Sequence, residues 1–300
     1  MNGLESLIKH LDEMGKTEAI QRLHNLYSLT DDKETRVKIL GLLNRLHDTT
    51  HYEEIENYFV SDEDPDVRIE AAKLLAFNYE GKTALAPLLW VLKNERKLEI
   101  RRAALRLLVP LARKKEYEAT IITVLKEALK SEDKKIQMDA AESLGILEEP
   151  SATENLLEVL KTGKDKNVRI KVIQALISLK AKKAIPHLLN NLKLESLDEW
   201  EFTFNALLQL TSKNELHELL LQKLERLKVK KDEVDLNEKK QGIARALGHL
   251  GNKESVPFLL DLLKDYHEWV REEVLQALDK IDSQWKKNYR TELKKRKIYP

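Results

Sequence analysis

Hydrophobic positions along this chain recur at spacings of three and four, the period of a helix with one apolar face. The stretches that carry this period come in pairs. LGHLGNKESVPFLLDLLKDYHEWVREEVLQALDKI, from Leu247 to Ile281, reads as helix, turn, helix, and its second half echoes DVRIEAAKLLAF near residue 70. With the first residue of the echoed helix as position zero, the copies begin at Thr35, Val67, Ile100, Ile136, Val168, Trp200, Lys239 and Val270. Eight positions later each copy has a leucine: Leu43, Leu75, Leu108, Leu144, Leu176, Leu208, Leu247 and Leu278. Position one is basic in six of the eight, as in Arg36, Arg68, Arg101, Arg169, Lys240 and Arg271.

Each copy also has an earlier amphipathic helix, seen in ALAPLLWVLKN, ATENLLEVLKT, AIPHLLNNLKL and SVPFLLDLLKD. Pro87, Pro186 and Pro257 are placed by this pattern in the first helical turn, where the missing N–H costs little. Asp66, Asp133, Asp165 and Asp198 are expected to cap the second helices. Small pairs, Ala71–Ala72, Ala103–Ala104 and Ala140–Ala141, allow close helix approach. A period in the thirties with two helices per unit predicts an all-α fold, a right-handed α-solenoid of about eight repeats. The expected organisation is one array over residues 1–300. Residues 1–16 form a leading cap, 17–281 the repeats and 282–300 a basic trailing cap helix.

Two-helix units ending in a V-R-x-x-A-A-x-x-L pattern, specific in the best copies, resemble the HEAT-repeat family, and most closely its short phycobilisome-lyase-like repeats. The resemblance covers about residues 17–281. It implies that second helices line a concave face and first helices a convex back.

Two places depart from the pattern. Repeat six, LDEWEFTFNALLQL, has Trp200 for Val or Ile, Glu201 for Arg, and Phe204–Asn205 for the small pair. These aromatics either refill a packing gap or present an exposed site. A polar insertion, RLKVKKDEVDLNEKK from Arg226 to Lys240, is expected as a solvated loop between the helices of repeat seven.

Position two of the second helices reads Val37, Ile69, Arg102, Met138, Ile170, Phe202, Gln241 and Glu272, mostly apolar. Position six, with Lys73, Arg106, Glu142, Gln174 and Arg245, is mostly polar. An apolar stripe beside a charged one suits an amphipathic partner helix; the other reading is that position two is half-buried between neighbouring helices. The candidate partner-binding residues are Ile69, Arg102, Arg106, Met138, Glu142, Ile170, Phe202 and Arg245.

Net charge is +1, but residues 1–66 hold 15 acids and 7 bases, residues 67–130 hold 14 bases and 7 acids, and residues 283–300 hold 7 bases and one acid. The balance gives no overall case for a nucleic-acid binder, although the basic section and tail keep that alternative open. There is no cysteine, which excludes disulfides and thiolate chemistry. The first residues lack the pattern of a signal peptide, and no apolar run approaches a membrane span, so a cytoplasmic location is expected.

Eight histidines are scattered, and His47 and His51 flank an expected turn rather than share a helix face, so no metal site is expected. His217–Glu218 and His267–Glu268 do not stand where deoxyhypusine hydroxylase, a di-iron enzyme of HEAT-like repeats, carries its His-Glu pairs. A resemblance to HEAT-like DNA glycosylases would need a concave Asp and Trp beside Arg101, Arg102 and Arg106; Asp139 is available, but no Trp is. A chromophore-lyase role has only the repeat resemblance behind it. No phosphate-binding loop or nucleophile elbow is present. The expectation is a scaffold or adaptor with no catalytic residue and no cofactor, holding an extended or helical protein segment.

Overall fold

In the computed structural model, residues 2–11, 13–79, 82–228 and 234–298 are described, and they form nineteen α-helices joined by short turns. The chain divides into two compact units, Met1–Leu147 and Glu148–Pro300. In the first, α1 (Asn2–Lys9) precedes four pairs. These are α2 (Lys16–Ser28) with α3 (Lys33–Arg45), α4 (Tyr52–Ser61) with α5 (Pro65–Asn78), α6 (Lys82–Asn94) with α7 (Leu98–Ala112), and α8 (Lys115–Ala128) with α9 (Lys134–Ile146). The second unit has α10 (Thr153–Thr162) with α11 (Lys166–Ser178) and α12 (Ile185–Asn191) with α13 (Leu197–Leu210). It continues with α14 (Lys213–Lys228) and α15 (Val234–Leu250), then α16 (Val256–Leu262) and α17 (Glu268–Ile281). Two short helices, α18 (Trp285–Asn288) and α19 (Arg290–Arg296), close it.

Packing is sequential, as expected of a solenoid. Within each pair the helices meet, and second helices stack on second helices: α3 on α5, α5 on α7 and α7 on α9 in one unit, α11 on α13 and α15 on α17 in the other. Each pair thus buries its apolar face against its neighbours. Of the eight leucines at position eight, seven are fully buried and Leu208 is half-buried. The three alanine pairs are buried where second helices approach one another.

Asp133 and Asp165 cap α9 and α11 as expected, each accepting two backbone N–H bonds. Asp66 and Asp198 do not, because their helices start earlier. Asp64 caps α5 ahead of Pro65, and Asp198 lies inside the first turn of α13. Pro186 and Pro257 open α12 and α16, but Pro87 lies inside α6, which begins at Lys82. Several second helices end in a left-handed residue. His47, Glu148, Lys180 and Gly251 follow α3, α9, α11 and α15 with φ between 49° and 70°.

The expected insertion is largely helix. Arg226–Lys228 belong to α14 and Val234–Lys240 to α15, the longest pair; residues 229–233 of the insertion lie outside the described residues. Near residue 300, Trp285, Leu293 and Ile298 are buried. The helix expected there is broken in two at Tyr289, which is only half-buried. Ile298 is brought back through a Schellman turn, its N–H donating to the Leu293 carbonyl at 3.0 Å with Lys297 left-handed.

Candidate functional site

In most repeats the basic residue at position one has an internal task. Arg68 donates from Nε to the Phe59 carbonyl (2.7 Å), and Arg169 from Nη1 to the Gly163 carbonyl (2.9 Å). Arg271 donates to the carbonyls of Asp265 and Tyr266, each 2.8 Å away. Gln137 reaches the Leu129 carbonyl at 3.0 Å in the same way. These side chains satisfy carbonyls left over at or just after the end of the first helix. Some also pair with an acid of the next repeat: Arg36 with Asp62 (2.8 Å), Arg68 with Glu95, and Arg169 with both oxygens of Glu199 (2.5 and 2.7 Å). Glu199 holds the Arg169 guanidinium above its ordinary pKa. Such bidentate pairs fix geometry as well as adding energy.

The expected partner-binding residues fall into distinct surroundings. In the first unit, Ile69 is half-buried. It lines a groove of about 470 Å³ between α3 and α5 with Val37 as its apolar companion. Lys33, Glu34, Lys38, Asp66, Glu70 and Lys73 surround these two side chains. Lys33 pairs with Asp66 and Lys73 with Glu70, both at 2.8 Å, so the groove carries both signs of charge. Met138 is half-buried, and Arg106 and Glu142 are exposed. Arg102 is committed elsewhere: its Nε and Nη2 donate to the two oxygens of buried Asp139 at 2.6 and 3.0 Å. That bond raises the arginine's pKa, although burial opposes the rise.

In the second unit Ile170 is half-buried and Phe202 is 39% exposed. Arg245 pairs with both oxygens of Glu273 at 2.9 Å and lies over the ring of Trp200, 5.7 Å from its centroid. Trp200 and Phe204 are buried and stacked, with ring centroids 5.1 Å apart, and the indole N–H donates to the Gly242 carbonyl at 3.0 Å. Of the two readings of repeat six, packing accounts for Trp200 and Phe204, while Phe202 faces outward.

One cluster escaped the sequence reading. His24 of α2 meets Asp48 and His51 of the turn after α3. His24 Nε2 is 2.7 Å from Asp48 Oδ2, His51 Nδ1 is 3.2 Å from Oδ1, and the two imidazoles stack with centroids 4.1 Å apart. Thr50 adds its N–H and hydroxyl to Asp48, each at 3.0 Å. Burial alone would raise the Asp48 pKa, but the bonds from His24, Thr50 and His51 prevail and hold it far below the carboxylate range. Tyr58, whose pKa burial pushes up to about 12, stays protonated and lies 3.4 Å from His24 Nδ1. Among the described residues these three are the group that could hold a metal ion, their ligand atoms lying within 4.8 Å of one another. The Asp48 carboxylate itself stands where the two ring nitrogens converge. The signal for finding it was weak, because His24 lies a whole helix away from Asp48 in sequence.

The HEAT repeats family model matches residues 85–177, 122–200 and 232–288. No curated protein matches in sequence. Among solved structures, the chain is similar to Kap95p in its complex with RanGDP, with 14% identity and a TM-score of 0.64 over 89% of this chain and 39% of that one. It is also similar to the E. coli protein YibA, with 16% identity and a TM-score of 0.54 over 89% and 97% of the two chains. The CpcE–CpcF complex of phycocyanin lyase from Nostoc sp. PCC7120 matches with 20% identity and a TM-score of 0.44 over 79% and 95%. This chain therefore spans about two fifths of Kap95p, and at these identities the likeness is one of fold. Among the described residues no helix is long and apolar enough to cross a membrane. Paired helices stacked in order, with a family model matching more than half of the sequence, make this chain a member of the HEAT-repeat family.

Proposed function

We propose that this chain is a non-enzymatic scaffold or adaptor that binds a helical or extended protein segment along the second-helix face. The observation that carries the reading is the groove between α3 and α5. There Val37 and Ile69 stand side by side, flanked by charges of both signs. An amphipathic helix can place apolar side chains on such a pair while its polar edges meet Lys38, Glu34 and Glu70. Charge pairs at the rim would set orientation and association rate more than affinity.

The test compares proteins captured by the wild-type chain with those captured by Ile69→Asp, with Glu118→Ala, an exposed position of α8, as control. A partner recovered by wild type and control but lost with Ile69→Asp, in a variant that still melts as a folded protein, supports the proposal. Equal capture by all three moves the site elsewhere. Recovery of nucleic acid that Ile69→Asp does not affect overturns it in favour of a polyanion binder.

A further inference from the structure

Repeats two, three and five carry the same position-one arginine, but only two of these arginines are neutralised. Arg68 pairs with Glu95, five residues before position zero of the next repeat, and Arg169 with Glu199, one residue before it. Arg101 has neither acid. The equivalent residues in the next repeat are Ser131 and Lys135. The Arg101 side chain makes no hydrogen bond or ion pair with any described residue, and it is half-buried. The guanidinium of this half-buried residue therefore has its hydrogen-bond donors available to an anion from outside the chain.

Arg101 lines a groove of about 550 Å³ enclosed by α6, α7, α8 and the start of α9. Leu105 and Ile136 form a buried floor; Leu89, Leu92 and Val124 are half-exposed walls. Lys93 at the rim adds a second cation, against Glu127 as the one anion of the lining. The volume falls in the range of about 300–1,000 Å³ typical of small-molecule sites, and so does the chemistry, mainly apolar with a few polar groups at one edge. The corresponding notch beside Arg169 is lined instead by Lys161, Lys164, Asn191, Lys193 and Glu195 and is largely polar. The free arginine and the aliphatic lining thus occur together in repeat three.

From this juxtaposition we infer that the groove beside Arg101 is a binding site for a medium-chain aliphatic carboxylate. The acid head takes the place that Glu95 and Glu199 fill in other repeats, and the chain lies on Leu105 and Ile136. Arg101 is chosen over Lys93 as the anchor because its planar fork matches a carboxylate and because Arg101 is half-buried while Lys93 is exposed.

The experiment is calorimetric titration of the full chain with decanoate below its micelle-forming concentration, with decanol and acetate as controls. Arg101→Gln is conservative here, since Gln137 fills the same position one repeat later. Expected are saturable 1:1 decanoate binding, a loss of about tenfold or more with Arg101→Gln, much weaker binding of acetate, and decanol binding that Arg101→Gln leaves unchanged. Val124→Trp, which fills the groove and leaves Arg101 in place, should abolish decanoate binding. No saturable decanoate binding, binding insensitive to both variants, or decanol binding as tight as decanoate would each overturn the inference. The outcome is independent of capture on the α3–α5 groove, because Ile69→Asp leaves the Arg101 groove intact.

Discussion

Arg102 and Asp139 face each other across the successive second helices α7 and α9, joined by two parallel hydrogen bonds of 2.6 and 3.0 Å, with the carboxylate buried. This pair ties repeat three to repeat four. Arg102→Glu would set two carboxylates against each other and leave Asp139 buried without its cation. The expected cost is on the order of 3 kcal/mol, moderated by the partial exposure of the arginine. Arg106→Glu, one turn away and exposed, should change stability by about 0.5 kcal/mol or less. Urea unfolding of the two single variants separates these roles, and equal midpoints would mean that the bidentate pair contributes little.

The repeat was legible because its core positions are chemically monotonous. Leu43, Leu75, Leu108 and Leu144 need only be apolar and recur at one fixed place in each second helix, ten residues after its first residue, and a one-dimensional pattern records that. The apolar half of the candidate groove, Val37 and Ile69, was legible for the same reason. Pairings between repeats were not. Periodicity places Arg102 on a face but does not say that its guanidinium turns sideways to Asp139, 37 residues on. Nor does it reveal that His24 and His51 share Asp48. Those contacts depend on side-chain direction and on a turn whose path the period leaves unspecified.

Asp48 gives a pH signature. Its folded-state pKa lies below the unfolded carboxylate value of about 3.9. A depressed carboxylate contributes stability that is complete above the unfolded pKa and is lost as pH falls through the folded one. Wild type should therefore lose stability progressively below about pH 4. Asp48→Asn should be less stable at neutral pH, because His24, His51 and Thr50 keep a weaker acceptor, and its stability should decline less steeply in that acid range. Acid titrations followed by circular dichroism test this; parallel curves would show that Asp48 is not the group responsible.

Two backbone positions make opposite predictions. A Cβ at Gly242 would overlap the carbonyl oxygen of Leu192 and press on Trp200, so Gly242→Ala should destabilise the second unit by about 1–3 kcal/mol. Lys180 ends α11 in a left-handed conformation, φ 50°, with Ala181 N–H closing the turn onto Leu176. Lys180→Gly should relieve that strain and stabilise by up to about 1 kcal/mol. Thermal melts of both variants check the signs; a stabilising Gly242→Ala would contradict the close approach of α15 to the loop at Leu192.

The basic tail separates a cap from an anchor most directly. Trp285 is fully buried, and its indole N–H donates to Asp279 at 2.8 Å, while Lys286, Lys287, Lys294 and Lys295 are exposed around it. Arg296 also reaches back to the Pro257 carbonyl and Asp261 of α16. Burial of one large aromatic with its hydrogen bond made is how a terminal apolar face is covered. Trp285→Ala should cost about 3–5 kcal/mol and expose the flank of α17. Replacing the four lysines by glutamate should leave the melting temperature nearly unchanged, since exposed charges contribute little. If the tail also held a polyanion, the lysine variant would abolish a salt-sensitive affinity for single-stranded DNA that Trp285→Ala weakens only by unfolding. Melting temperature and DNA affinity, measured on both variants, assign the tail. A Trp285→Ala protein that melts like wild type would overturn the capping role.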